Sequence, residues 1–188
     1  MDTLQTVDDE KLRRYQKKIR IYLLKCFLSE ASKILIMAVI FNYFQLLNEF
    51  WAALIFLMLL RTNGGGIHCK HYISCFCLSF IVMGSSILTA KYIPIPTIAA
   101  LPILIVCAFA GYMSAPIVSD NRPAPSDKLI IRSKRITFIL ILLIGILRCI
   151  CPSNPYVDIG VWTAIIHISQ LLLAKFLQRR KDYVSLQN

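Results

Sequence analysis

Between Phe50 and Ser119 the chain carries no aspartate and no glutamate. Acidic side chains are scarce throughout, ten against 21 lysines and arginines, and charged residues of both signs make up only 16% of the chain. A surface that faces water all round needs more charge than that. What stands in its place is hydrocarbon: 57% of the 188 residues are hydrophobic, against about 45–50% in soluble domains. A fold of this size has no interior for so much apolar side chain, so the chain is expected to be an integral membrane protein. The same runs leave no length for a separate soluble catalytic domain.

Two further absences narrow the class. The first 28 residues are too charged for a secretory signal peptide and lack its small-residue cleavage site, so the N-terminus is expected to stay. The seven cysteines are odd in number and several lie inside apolar runs, which does not read as a disulfide framework. The net charge of +11 would suit nucleic acid, but the cations sit in short clusters between apolar runs instead of on one continuous face. That is the pattern of membrane topology, and no nucleic-acid partner is expected.

From Glu10 to Phe27 the residues Leu12, Tyr15, Ile19, Tyr22 and Leu23 recur at spacings of three and four, with Lys and Arg filling most other positions. This predicts a basic amphipathic helix lying on the lipid surface. The apolar segments that follow are Ile34–Phe44, Phe50–Leu60, Tyr72–Ala90, Thr97–Met113, Ile136–Ile150 and Tyr156–Leu177. The first two form either one long tilted helix or a hairpin, and charge decides between them. A single crossing would place Arg61, Lys70, Arg122, Lys128, Arg132, Lys134, Arg135, Lys175, Arg179, Arg180 and Lys181 outside, against the positive-inside rule. With a hairpin they join the N-terminal cluster inside.

The expectation is therefore an all-α integral membrane protein of six membrane segments, the first two short and hairpin or re-entrant, with both termini cytoplasmic. One membrane-embedded domain spans 1–188: the amphipathic helix over 1–30, the transmembrane core over 31–178 and a cytoplasmic tail over 179–188. Ser114–Arg135 is expected to be a loop. Pro94, Pro96 and Pro102 are expected to break or start the segment around them, and Gly145 and Gly160, exposed on short helices, suggest a homodimer.

Chemistry concentrates in one place. The stretch Arg61-Thr-Asn-Gly-Gly-Gly-Ile-His68-Cys69-Lys70-His71-Tyr-Ile-Ser-Cys75-Phe-Cys77 gathers two of the three histidines and three of the seven cysteines just after three glycines. At a cytoplasmic membrane boundary such thiols stay reduced and within reach of water. Arg61, Lys70, a nearby imidazolium and a helix N-terminus would favour a thiolate there. His71 and Cys75, four apart, are neighbours on a continuous helix. His68 and Cys75, seven apart, would be separated by roughly 10 Å along the axis at 1.5 Å per residue. A His68–Cys75 pair thus requires the helix to begin after His68, which Gly64, Gly65 and Gly66 allow.

Arg61, Gly65, Gly66-x-His68 and Cys75 followed by Ser79 resemble the core motif of the accessory gene regulator B family, membrane cysteine endopeptidases of Gram-positive bacteria that process a quorum-sensing propeptide. The later Ser114-Ala-Pro116-Ile-Val-Ser-Asp-Asn121-Arg122-Pro123 is similar to the family's second landmark, with Arg122 in place of Lys. The resemblance implies that Cys75 is the nucleophile and His68 its base. It implies a propeptide of the accessory gene regulator D type, cut at the cytoplasmic face of the cell membrane through a thioester and closed into a thiolactone or lactone ring. Arg61, Gly65, Gly66, Lys70, Arg122 and Lys128 are the residues expected to meet the substrate, the cations by attraction to an acidic tail.

Other functions make different demands. Zinc would need His68, Cys69, His71, Cys75 and Cys77 to converge, which five ligands within ten residues of a helix start cannot do tetrahedrally, and a CxC pair points to two helix faces. No metal or other cofactor is expected. A small transporter or scaffold without covalent chemistry is the alternative, and a transporter would carry polar residues deep in its segments. Those present, Asn42, Gln45, Glu49, Arg148, Asp158, His167 and Gln170, are sparse and mostly at segment ends. His167 is expected to make a helix–helix hydrogen bond, and Cys26, Cys69, Cys77, Cys107, Cys149 and Cys151 to be plain helix residues.

Overall fold

A computed structural model of the chain describes residues 21, 24, 27–66, 72–116 and 126–185, the side chains at 179 and 181–185 excepted. These residues form helices and no β-strand. Contacts divide the chain into two compact units, Met1–Gln45 and Leu46–Asn188. In the first, helix α1 covers 27–43, and Lys33 pairs with Glu30 one turn earlier at 2.7 Å. Apart from Ile21, Leu24 and Phe27, the amphipathic segment Glu10–Phe27 lies outside the described residues.

The choice between one long helix and two is settled at Gln45. Its φ of 58° belongs to the left-handed region, where a helix stops, and its N–H turns back to Asn42 O at 3.0 Å. The second unit then begins with α2 (Leu47–Gly64), followed by α3 (Tyr72–Tyr92), α4 (Thr97–Ser114), α5 (Asp127–Ile150) and α6 (Pro155–Ser185). Helix α6 packs against all four others. Leu60, Ala100, Leu104, Ala108, Ile141, Ala164, Ile168 and Leu171 close the core between them.

Among the described residues three helices are long and apolar enough to cross a membrane: Tyr72–Tyr92, Thr97–Ser114 and Pro155–Gln178. The distribution of side chains within the unit fits lipid outside. Ile98, Val106 and Ile150 are 89%, 68% and 71% exposed, whereas Ser86, Thr137, Thr163 and His167 are buried. Water would drive the reverse arrangement, because burying polar groups costs free energy and exposing hydrocarbon costs more.

The structure corrects several expectations. Residues 127–135 are not loop: α5 starts at Asp127, so Lys128, Arg132, Lys134 and Arg135 stand on its first turns. Nothing breaks the helix over that run, Lys and Arg are good helix formers, and an acidic side chain in the first turn suits the helix dipole. Pro96 occupies the N-cap position of α4, but Pro102 lies inside the helix without ending it, as neighbouring helices permit in membrane bundles. Gly160 is not on the surface. A Cβ there would stand 2.7–2.9 Å from the ring of Phe56, so the glycine lets α2 and α6 approach, and Gly145 is likewise buried against Leu101 and Leu104. Neither glycine is left to join two copies of the chain.

Candidate functional site

Helix α2 ends where the glycines begin. Gly65 has φ 77°, open to glycine at no steric cost, and its N–H is held by Arg61 O at 3.1 Å. Ser133 of α5 donates its hydroxyl to Asn63 O, taking up one of the carbonyls that a helix end leaves without an intrahelical partner. Gly66 is buried outside any helix, and the next described residue, Tyr72, opens α3. The helix is therefore not continuous from Gly66 to Cys75. Ile67, His68, Cys69, Lys70 and His71 lie outside the described residues, as does Arg122.

Cys75 sits in the first turn of α3, 7% exposed. Four residues on, Ser79 shares its buried face, while Cys77 between them is exposed, so the CxC pair does point to two faces. Arg61 reaches across from the last turn of α2 and donates from Nη1 to Ser79 Oγ at 3.4 Å. A Cβ on Gly66 would lie 3.6 Å from Arg61 Nε, so the backbone of the glycine turn passes close over the arginine stem. The guanidinium thus links the glycine turn to α3, one turn from Cys75.

Behind this link lies a cavity of about 10 Å³ lined by Arg61, Gly66, Ser79, His167 and Gln170, with Leu57 among its apolar walls. The sequence marked His167 as a helix–helix hydrogen bond, and among the described residues it makes none. Both ring nitrogens are buried without a hydrogen-bond partner among the described residues, and so is Thr137 Oγ. Both lie beside Gly64: a Cβ there would stand 3.2 Å from His167 Nε2 and 3.6 Å from Thr137 Oγ1. Arg61 and Ser79 were legible as members of the motif and Gln170 as a polar residue in an apolar run, but Ser133 and Thr137 gain their places only from the way α5 meets α2 and α6. Lys128, Arg132 and Arg135 are exposed on α5, and Lys134 lies over the Tyr112 ring at 5.9 Å.

Lipid-facing helices around an inner seam of hydroxyl, imidazole, guanidinium and thiol groups define a membrane-embedded helical protein with a polar site at the start of α3. The chain belongs to the accessory gene regulator B family, whose model matches residues 2–171. That membership gives it a role in processing the peptide of a quorum-sensing system. No curated protein and no solved structure matches the chain.

Proposed function

We propose that the protein is a cysteine endopeptidase that cuts a propeptide of the accessory gene regulator D type at the cytoplasmic face of the membrane. The observation that carries it is the position of Cys75: buried in the first turn of α3, on the face that Arg61 reaches through Ser79. Only a helix that starts after His68 lets that histidine reach Cys75, and Gly66 stands outside both helices.

In the proposed reaction His68 takes the thiol proton as Cys75 Sγ attacks the scissile carbonyl carbon, and backbone N–H groups of the first turn of α3 receive the developing oxyanion. The C–N bond breaks, His68 returns the proton to the leaving amine, and the N-terminal part of the peptide remains as a thioester on Cys75. A cysteine or serine within that part then attacks the thioester, its proton passing through His68 to the departing Cys75 sulfur, and a thiolactone or lactone is released. A site dry enough to slow hydrolysis lets ring closure win.

Arg61, Gly65 and Gly66 form the wall beside the reacting bond, and Lys70, Arg122 and Lys128 hold the acidic part of the peptide beyond it. Both termini are cytoplasmic in this proposal, which puts these cations and the N-terminal cluster on one side. In purified protein reconstituted in vesicles with propeptide, cleavage that needs Cys75 but not Cys77 supports the proposal. Cleavage by the Cys75→Ala variant at the wild-type rate overturns it.

A further inference from the structure

We propose that the cavity between α2, α3 and α6 is a binding site for one water molecule, and that through this water His167 is a positioning residue for Arg61. The inference rests on Cys75 as nucleophile for its functional half, and on geometry alone for the water.

His167 is 1% exposed, its two ring nitrogens have no hydrogen-bond partner among the described residues, and it lines the cavity together with Arg61, Ser79 and Gln170. Buried polar atoms are almost always satisfied, by protein or by an ordered water. An imidazole is expensive to leave unsatisfied, and leucine at this position would cost nothing of the kind. A volume of about 10 Å³ is close to that of one water, and such a site needs two to four polar partners. Four polar groups line this one.

The donor count sets the direction of the bonds. Arg61 only donates, so the water accepts from the guanidinium and has its own protons for a ring nitrogen of His167 and for the side-chain oxygen of Gln170 or Ser79. The direct bond from Arg61 to Ser79 is long, 3.4 Å, at the weak end of the range for such bonds. A water shared with His167 ties the guanidinium to α6 as well. Because Gly66 passes over the arginine stem and Gly65 is bonded to the Arg61 carbonyl, fixing Arg61 fixes the start of the segment that leads to His68. Gly64 belongs to the same device, since any side chain there would press on the imidazole.

The water is read without activity. In protein labelled with nitrogen-15 at histidine and reconstituted in phosphatidylglycerol vesicles, the His167 ring, assigned by its loss in His167→Gln, should show magnetisation transfer from a bound water. A ring that receives none is dry, and the proposal is overturned. The positioning role is read by kinetics on the propeptide. His167→Leu should lower kcat about 10- to 10²-fold, the scale of a small misplacement of reacting groups, with KM within about twofold. His167→Gln, whose amide oxygen accepts from the water, should restore kcat to within about threefold of wild type. Equal losses in both variants, or none in His167→Leu, overturn the positioning role. If His167→Leu does not fold, the Gln variant and the labelled wild type still decide. Cleavage that survives Cys75→Ala removes the endopeptidase proposal and with it the positioning role, whereas a dry His167 in a protein that needs Cys75 removes the water and the positioning role and leaves the endopeptidase proposal standing.

Discussion

The two ends of the five-helix unit treat an arginine in opposite ways. At the end formed by the α3–α4 and α5–α6 connections, Arg148 is 4% exposed, its Nη1 lies 2.7 Å from Asp158 Oδ1, and its Nη2 donates to Ile95 O at 2.8 Å. Trp162 Nε1 donates to Ile93 O, 3.0 Å away, beside it. Two side chains from α5 and α6 thereby take up the carbonyls of a connection that has no helix to satisfy them. At the other end Arg61 donates to Ser79 across 3.4 Å, next to a cavity and an imidazole whose ring nitrogens have no hydrogen-bond partner among the described residues. One end spends its polar groups on holding the chain together. The other sets an imidazole with no partner among the described residues beside its cavity, and its chain turns on glycine where the first turns on proline. Arg148 Nε also lacks a hydrogen-bond partner among the described residues, but its charge is met by Asp158; a buried imidazole with neither nitrogen paired marks a site, because stability alone would have paired it or replaced it with hydrocarbon.

If that contrast is real, variants at the two ends fail differently. The largest effect belongs to the site: Cys75→Ala should abolish propeptide cleavage with the protein still folded, and His68→Ala should lower it about 10²–10⁴-fold, as removal of a general base does. His71→Ala should lose much less. A reversed order for the two histidines, measured as initial rates in vesicles, would show that the i, i+4 neighbour is the base.

At the paired end the loss should appear in stability instead. Asp158→Leu leaves Arg148 buried without its counter-ion and should cost about 3–5 kcal/mol, while adding Arg148→Met to it should recover much of that. Thermal unfolding in detergent measures both, and the rate per folded molecule should stay near wild type. A double variant no more stable than the single would mean that Arg148 matters through Ile95 and not through Asp158.

A smaller effect is expected where α2 meets α6. Gly160→Ala would push a methyl into the Phe56 ring, 2.7 Å away at its closest atom, at a cost of about 1–3 kcal/mol. Phe56→Leu in the same chain should relieve most of it, and additive losses in a double-mutant cycle would deny the contact.

The smallest concerns the cations of the α4–α5 region. Arg122→Gln with Lys128→Gln leaves enough positive charge to hold that region on its side of the membrane. If the two residues dock the acidic tail, the apparent affinity falls and its salt dependence weakens while kcat barely changes. Wild-type affinity and salt dependence would assign both cations to topology.

How much of this the residues announce depends on the range of the interaction. Helices α3 and α4 were legible because their apolar runs are continuous, and the break before α3 because three glycines precede it. The start of α5 was not: its Lys and Arg were taken for loop, although both are good helix formers. That Cys75 and Ser79 share a face follows from their spacing alone. The inward turn of Arg61, the pairing of Arg148 with Asp158 and the burial of Gly160 under Phe56 each join two helices, and periodicity within one segment says nothing about which segments meet. His167 was visible as a polar residue in an apolar run, but its lack of a partner is a property of the assembled helices.

The central claim is a covalent one, that Cys75 carries the N-terminal part of the peptide as a thioester. It is tested most directly with a propeptide whose ring-forming cysteine or serine is replaced by alanine, so that the acyl-enzyme has no internal nucleophile to consume it. After acid quenching and digestion, mass spectrometry should find that part of the peptide attached to the fragment containing Cys75, and hydroxylamine should release it. Cleavage that proceeds with no adduct, or with the adduct on another residue, would contradict the account.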